Sequence, residues 1–340
     1  MEAKRTKMSK QFSYKLVWLN VIASFIIVIG HCNTSFSAHL AWKGKEIADY
    51  LSFLGIPVMG YFFFVSAYLF FRNYELKDTL RKWKSRLRTL IIPYILWNMI
   101  MIVSETLRES FSFSGESVLY AFLLPPYGPI DGPLWYIVKL FVFFLFAPLI
   151  YLVMKQKIYA IIVIVSSFCV NCMIVQNYYS IFYWLPVILL GSYIAINCPE
   201  ILEETKARKR RNWIYSIGGC LIFLIITAMV KYMRFLFDAG YLFRMLAPLL
   251  IFEFCKWIEV KKPPKYIKNL PFFMYCSHVP VLYWTATIIK KMSIVDYGNS
   301  REVFMVNIVN YFIVIGIILA LKFLLERFCS SLFTLLTGNR

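Results

Sequence analysis

Charge is scarce in this chain of 340 residues. Asp, Glu, Lys and Arg together make 16% of it, against about 25% in soluble domains. That is too little polar surface to cover a soluble core of this size, so a soluble globular fold is excluded. Acid is scarcer than base, with 18 Asp and Glu against 37 Lys and Arg. Only three histidines are present, and they form no local metal motif. There is no H-E-x-x-H, no G-x-S-x-G and no Walker loop. These absences exclude a zincin, a hydrolase with a nucleophile elbow and a primary pump. Of eight cysteines only Cys169 and Cys172 have redox or metal spacing. They have no second pair and sit in an apolar run, which reads as buried small hydrophobes. No repeat of 20–50 residues and no soluble domain interrupt the chain.

What is abundant is apolar length. Hydrophobic residues make 60% of the chain and the mean hydropathy is +0.65. Many runs reach the roughly 17–25 residues that span hydrocarbon. The expected fold is all-α, one polytopic bundle over 1–340 with ten spans. They fall near 14–31, 47–71, 89–104, 134–154, 158–175, 179–197, 213–230, 240–257, 271–289 and 304–325. No small-residue cleavage site follows the first span, so it is expected to stay. With the N-terminus cytoplasmic, 27 of the 37 basic residues fall in inner segments, which fixes that orientation and puts both termini inside. The same asymmetry accounts for the net charge of +19 without nucleic acid, because the basic residues are split among loops rather than gathered on one face. Membrane lipid is the expected partner of those loops.

Ionisable groups inside a bilayer are costly, so each is a functional candidate. The candidates are His31, Lys139, Arg244, Glu253 and His278. Each also has a plainer reading. A lone histidine can serve an interhelical hydrogen bond, Lys139 and Arg244 can snorkel to outer headgroups, and Glu253 can pair with Lys256. The first apolar helix ends in Gly30-His31-Cys32-Asn33, where a residue that titrates near neutrality can act as a general base. The basic run 81–88 is either a topology anchor or a phosphate receptor, since arginine forks match phosphate oxygens.

Several segments, in order, resemble the integral-membrane acyltransferase family 3, bacterial O-acyltransferases that modify surface glycans. Ile29-Gly30-His31 is similar to the end of the family's first helix. Phe62-Phe63-Phe64-Val65-Ser66-Ala67-Tyr68-Leu69 is similar to its F-F-x-x-S-G-Y-L. Arg86-Leu87-Arg88-Thr89-Leu90-Ile91-Ile92-Pro93-Tyr94 resembles its R-x-x-R-L-x-x-P-Y entry to the third span. Gly132-Pro133-Leu134-Trp135-Tyr136 resembles H-L-W-F-L, and Phe273 to Val281 resembles F-x-I-Y-L-x-H-x-P. Ala67 replaces the usual glycine, the arginines are spaced Arg86-x-Arg88, and Phe36 stands where an acid often follows the first histidine. An acid that orients His31 would then come from Asp131 or Asp238.

The resemblance implies transfer of an acyl group, acetyl for preference, from a cytosolic acyl-CoA co-substrate to a hydroxyl of a surface or lipid-linked glycan, with no metal. It places the protein in the bacterial cytoplasmic membrane. It makes His31 the catalytic base and Arg86 and Arg88 the acyl-donor site. Ser66, Trp135, Lys139, Arg244 and His278 are possible substrate or supporting residues, with Trp135 stacking on a sugar. A relay through Ser66 or Ser277 as acyl-enzyme is an alternative. So are a transporter or flippase of glycan intermediates, and a structural partner in a glycan-synthesis complex. One conflict stands out. Seventeen residues of helix, about 25 Å, separate Tyr14 from His31. His31 is therefore expected near the outer face, with the arginines near the inner one.

Overall fold

The computed structural model describes residues 8–36, 55–112, 114–123, 129–173, 177–203, 239–293 and 299–338. Among them there is no strand. His39, Asp238 and the expected span 213–230 lie outside the described residues. The helices are α1 Lys10–Phe36, α2 Ile56–Phe71, α3 Thr79–Arg86, α4 Ile92–Leu107, α5 Gly115–Tyr120, α6 Trp135–Leu145, α7 Ala147–Lys155, α8 Lys157–Met173, α9 Leu185–Asn197, α10 Glu200–Glu203, α11 Ala239–Cys255, α12 Leu270–Lys291, α13 Ser300–Phe328 and α14 Ser330–Thr337.

Four helical stretches among the described residues are long and apolar enough to cross a membrane: Lys10–Cys32, Leu76–Leu107, Leu270–Lys291 and Arg301–Phe328. A fifth counts if α6 and α7, bent by 63°, form one span. Pro57–Phe71, Lys157–Met173 and Phe182–Asn197 are apolar but shorter. Among the described residues, four or five of the ten expected spans thus meet that length. The boundaries also moved. The basic segment before the third span is helical and continuous with it, and the chain's last residues fold as α14.

Residues cluster into two compact units. One takes Met1–Asn20, Phe53–Lys82 and Phe143–Pro264, the other Val21–Ser52, Trp83–Val142 and Lys265–Arg340. In the first, α2 packs against α9 and α11. The approach is close enough to need glycine. A Cβ at Gly191 would lie 2.6 Å from the Phe64 carbonyl oxygen, and one at Gly60 would lie 2.3 Å from that of Arg244. Small residues allow such backbone contact where lipid offers no hydrophobic drive for association. Around this seam Phe63 stacks on Trp184 (4.9 Å) and Phe70 on Phe144 (4.1 Å). Arg72 pairs with Glu203 (2.6 Å), which also accepts the Tyr68 hydroxyl (2.7 Å).

In the second unit, α12 packs on α13, α4 and the turn at Gly132–Leu134. The α14 helix closes against α4: Trp97 Nε1 donates to the Leu336 carbonyl (3.1 Å). Gly338 has φ of 67°, and a Cβ there would meet the Thr89 backbone at 2.6 Å. Between α3 and α4 a π turn, Leu87–Ile91, interrupts the α-helix. Its cause is Pro93, which has no N–H for the Thr89 carbonyl and crowds it. Such turns recur at functional sites, and this one separates the faces of Arg86, half-buried, and Arg88, exposed.

Replacing Gly191 with Val should force α2 and α9 apart and cost about 1–3 kcal/mol. Gly316→Ala, at an exposed position with nothing within 4 Å, should leave the melting temperature unchanged. Equal melting of both variants in detergent would contradict the close packing described.

Candidate active site

The second unit gathers the chemistry. Its α1 portion and α12 run side by side in register. Ser24 Oγ donates to the Pro271 carbonyl (3.2 Å). Seven residues further along both helices, the His31 and His278 rings meet with centroids 4.9 Å apart. His278 is the ninth residue of the 22-residue α12, roughly 12 Å along it at 1.5 Å per residue. The histidine pair therefore sits in the first half of α12, while His31 stands one residue before the end of the Lys10–Cys32 stretch.

His278 is completely buried. Its Nδ1 lies 2.7 Å from the Tyr275 carbonyl and 3.2 Å from that of Met274. Carbonyl oxygens only accept, so Nδ1 carries the proton and Nε2 holds the lone pair. Nε2 has no hydrogen-bond partner among the described residues. Pro280, two residues on, withholds the N–H that would have bonded the Cys276 carbonyl, so the helix is rich in polar atoms at this level.

From the histidines a series of side chains leads to the arginine. The Tyr275 ring lies 6.2 Å from that of His278 and 5.9 Å from that of Tyr136. The Arg86 guanidinium interacts electrostatically with Tyr136. Thus Arg86 and His31, expected a membrane's thickness apart, are joined through three aromatic rings of one compact unit. The reason is the segment before α6. The Tyr94 hydroxyl donates to the Phe122 carbonyl (2.8 Å), the Asp131 N–H to Asn98 Oδ1 (3.2 Å), and the Tyr275 hydroxyl to the Pro133 carbonyl. These bonds draw a loop expected outside, with partial re-entrance, in among the helices, where Asp131 and Leu134 are fully buried.

The remaining candidates are placed as follows. Arg88 is exposed. Trp135 is buried and carries the Lys139 ammonium 4.7 Å over its ring. Ser277 is buried, with no partner for its hydroxyl among the described residues. Ser66 and Arg244 belong to the other unit. Arg244 there meets the Tyr183 hydroxyl, with its guanidinium 5.6 Å from the Tyr178 ring. Glu253 and Lys256 form the expected pair, at 2.5 Å. Cys169 is exposed and Cys172 half-buried, so neither is the core residue expected. The Asp131 carboxylate bonds no histidine. Neither oxygen has a partner among the described residues, and burial pushes the carboxyl well above its ordinary range. No group of three or more potential metal ligands exists among the described residues.

A second feature lies beyond the C-terminal end of α4. A cavity of about 400 Å³ is lined by Glu105, Ser110, Ser117, Tyr120 and Tyr283, among others. Arg108 pairs with Glu105, donates to Thr287 Oγ1 (3.0 Å) and lies 5.2 Å from the Tyr283 ring centroid. Two phenol rings, two serine hydroxyls and the Glu105 carboxylate, held by Arg108, thus face the cavity and combine apolar ring faces with hydrogen-bonding groups.

Composition alone did not single out Tyr136, Tyr275 or Asn98. Tyr275 precedes His278 by three residues, so their shared helix face was readable. The pairing with Tyr136 was not, because it depends on the loop turning inward.

Comparison with known proteins agrees with the motif order. A family model described as an acyltransferase domain matches residues 14–327. Similar curated proteins include those of Staphylococcus aureus strains MSSA476 and MRSA252, each a probable poly-beta-1,6-N-acetyl-D-glucosamine export protein, 24% identical over 249 residues. The match covers 67% of this chain, and the chain spans 66% of the length of these relatives. No solved structure matches the chain. With apolar helices of membrane-crossing length, a histidine pair of which His278 is buried and a family match over nearly its whole length, the chain belongs to the membrane acyltransferase family 3.

Proposed function

We propose that this acyltransferase moves an acetyl group from acetyl-CoA on the cytosolic side to a hydroxyl of a surface or lipid-linked glycan, within the cytoplasmic membrane of a bacterium. In this reading the chain crosses ten times and both termini are inside. The observation that carries it is the series of neighbouring rings Tyr136, Tyr275, His278 and His31, with Arg86 in the electrostatic field of Tyr136. A donor with its phosphates at Arg86 can lay its thin pantetheine arm past the two tyrosines and bring its thioester to the histidines. Arg86 neutralises phosphate with a forked hydrogen-bonding head.

The acceptor enters from the other side, where the cavity at Glu105 and Tyr283 binds a sugar ring. Tyr283 is five residues from His278, about 7.5 Å along α12, which is close to the length of a monosaccharide. A histidine of the pair accepts the sugar hydroxyl's proton as oxygen attacks the thioester carbon, then returns it to the leaving thiolate. The backbone-locked tautomer of His278 keeps one lone pair available for this exchange. The glycan named for the relatives makes poly-β-1,6-linked N-acetylglucosamine the first acceptor to try.

Their naming as export proteins favours one competing reading, a flippase for the same polymer. Mass spectrometry of surface glycan from a deletion strain separates the two. Loss of O-acyl mass with normal glycan amount is expected here, whereas full-length glycan trapped inside would favour export.

Two substitutions test the site. His31→Ala should abolish acetyl transfer to a β-1,6-linked N-acetylglucosamine oligosaccharide while acetyl-CoA binding persists. Transfer at the wild-type rate would rule out the mechanism. Arg86→Ala should raise the KM for acetyl-CoA about 10- to 100-fold, the value of one or two charge-assisted hydrogen bonds. Arg88→Ala, at an exposed position, should raise it less than threefold. The reverse order would place the donor on the exposed side of the Leu87–Ile91 turn instead.

A further inference from the structure

The buried residues of α13 are Val303, Asn307, Asn310, Val314, Ile315, Ile318 and Lys322. Apart from Ile315 they follow one another by three or four residues, so they share one face. Two of the seven are asparagines, in a helix otherwise fit to cross a bilayer. Asn310 is fully buried and Asn307 nearly so. Neither the nitrogen nor the oxygen of either amide has a hydrogen-bond partner among the described residues.

This is not how the protein treats its other helical asparagines. Asn98, Asn171 and Asn197 each turn Nδ2 back onto the carbonyl four residues earlier, at 2.8, 2.7 and 3.1 Å. That local solution was open to Asn310 and is not taken. Its amide points inward with all its hydrogen-bonding capacity unspent, and a buried unsatisfied amide is costly, most of all where no water can reach it.

A packing contact gives its level, and an electrostatic neighbour agrees with it. Where α12 leads into α13, Ala286 packs on Val303, and the helices run antiparallel from there. Seven residues, or two turns, inward on α13 is Asn310, and the same step on α12 is Val279, the neighbour of His278. On the α1 side, Tyr311 interacts electrostatically with Cys32, the neighbour of His31. Asn310 therefore sits in the layer of the histidine pair.

Resting on the acyl-transfer reading above, we propose that Asn310 is a further catalytic residue, whose Nδ2–H donates to the thioester carbonyl oxygen as it becomes an oxyanion. The reaction needs such a donor. The sugar oxygen forms a bond to the carbonyl carbon while its proton passes to a histidine. The carbonyl π electrons move onto oxygen, and a preorganised N–H holds that charge. Collapse then restores C=O, breaks C–S, and the thiolate takes the proton from the imidazolium. A single side-chain donor of this kind is worth about 10²–10³ in rate. The amide lacks a protein partner because its partner is the acyl group.

The test is release of CoA thiol by purified protein in nanodiscs, with acetyl-CoA and the β-1,6-linked oligosaccharide, alongside thermal melting. Asn310→Leu should lower kcat by about 100-fold or more with the KM for acetyl-CoA within twofold. Its melting temperature should equal or exceed wild type, because an unpaired polar group has been replaced by an apolar one of similar size. Asn310→Gln, which keeps the amide, should recover part of kcat. A Leu variant with wild-type kcat, or one that loses activity only in proportion to lost melting temperature, would overturn the assignment. If His31→Ala is inactive while Asn310→Leu is fully active, only the Asn310 role falls. If wild type itself releases no CoA with the acceptor, the acyl-transfer reading falls too.

Discussion

The second unit turns on one contact, the meeting of α1 and α12 at His31 and His278. It is fixed by geometry rather than charge. Ser24 and Pro271 set the register, and two turns later the rings are 4.9 Å apart. A shift of one residue on either helix would carry one imidazole about 100° around its axis. The other features of the site hang on this register. Tyr275 reaches Pro133 and Tyr136 only from the face that His278 shares, and those contacts hold the start of α6 near the pair.

Burial of polar groups is the physical theme, and the helices handle it in two ways. Most polar atoms are paid off locally. Asn98 bonds the carbonyl one turn back and takes the Asp131 N–H as well, while Lys139 lies over Trp135. A minority have no hydrogen-bond partner among the described residues, including His278 Nε2, Ser277 Oγ, Ser104 Oγ, the Asp131 carboxylate and the two asparagines of α13. These lie in the unit that holds the histidines, whereas Asn171 Oδ1 and Arg244 Nε lie in the other. Each unmatched group costs about 1–3 kcal/mol, so their concentration in the unit that carries the chemistry is the pattern expected of a site built for a ligand.

Much of this was legible in the residues. Low charge and long apolar runs required a helical membrane protein, and the motif order identified the family. His31 and His278 stood out because an ionisable group inside an apolar run has few structural uses. The register between the site's helices was not legible. Counting residues along α1 put His31 near the outer surface but could not set α1 against α12. Ser24 meets Pro271, the second residue of α12, so the two helices start at different levels. Asn310 was overlooked for another reason. Attention to charged groups passes over amides, though in lipid an unpaired amide is also costly. Nor could sequence separate Arg86 from Arg88, since a π turn decides which way each faces.

The central claim is that donor anchor and histidine pair lie on one passage. The most direct measurement is a cryo-electron microscopy structure in nanodiscs with a non-hydrolysable acetyl-CoA analogue. The account predicts phosphate density at Arg86, the pantetheine arm beside Tyr136 and Tyr275, and the acetyl carbon between His31 and His278. An analogue bound with its phosphates on Arg88 and its acetyl end away from the histidines would contradict it.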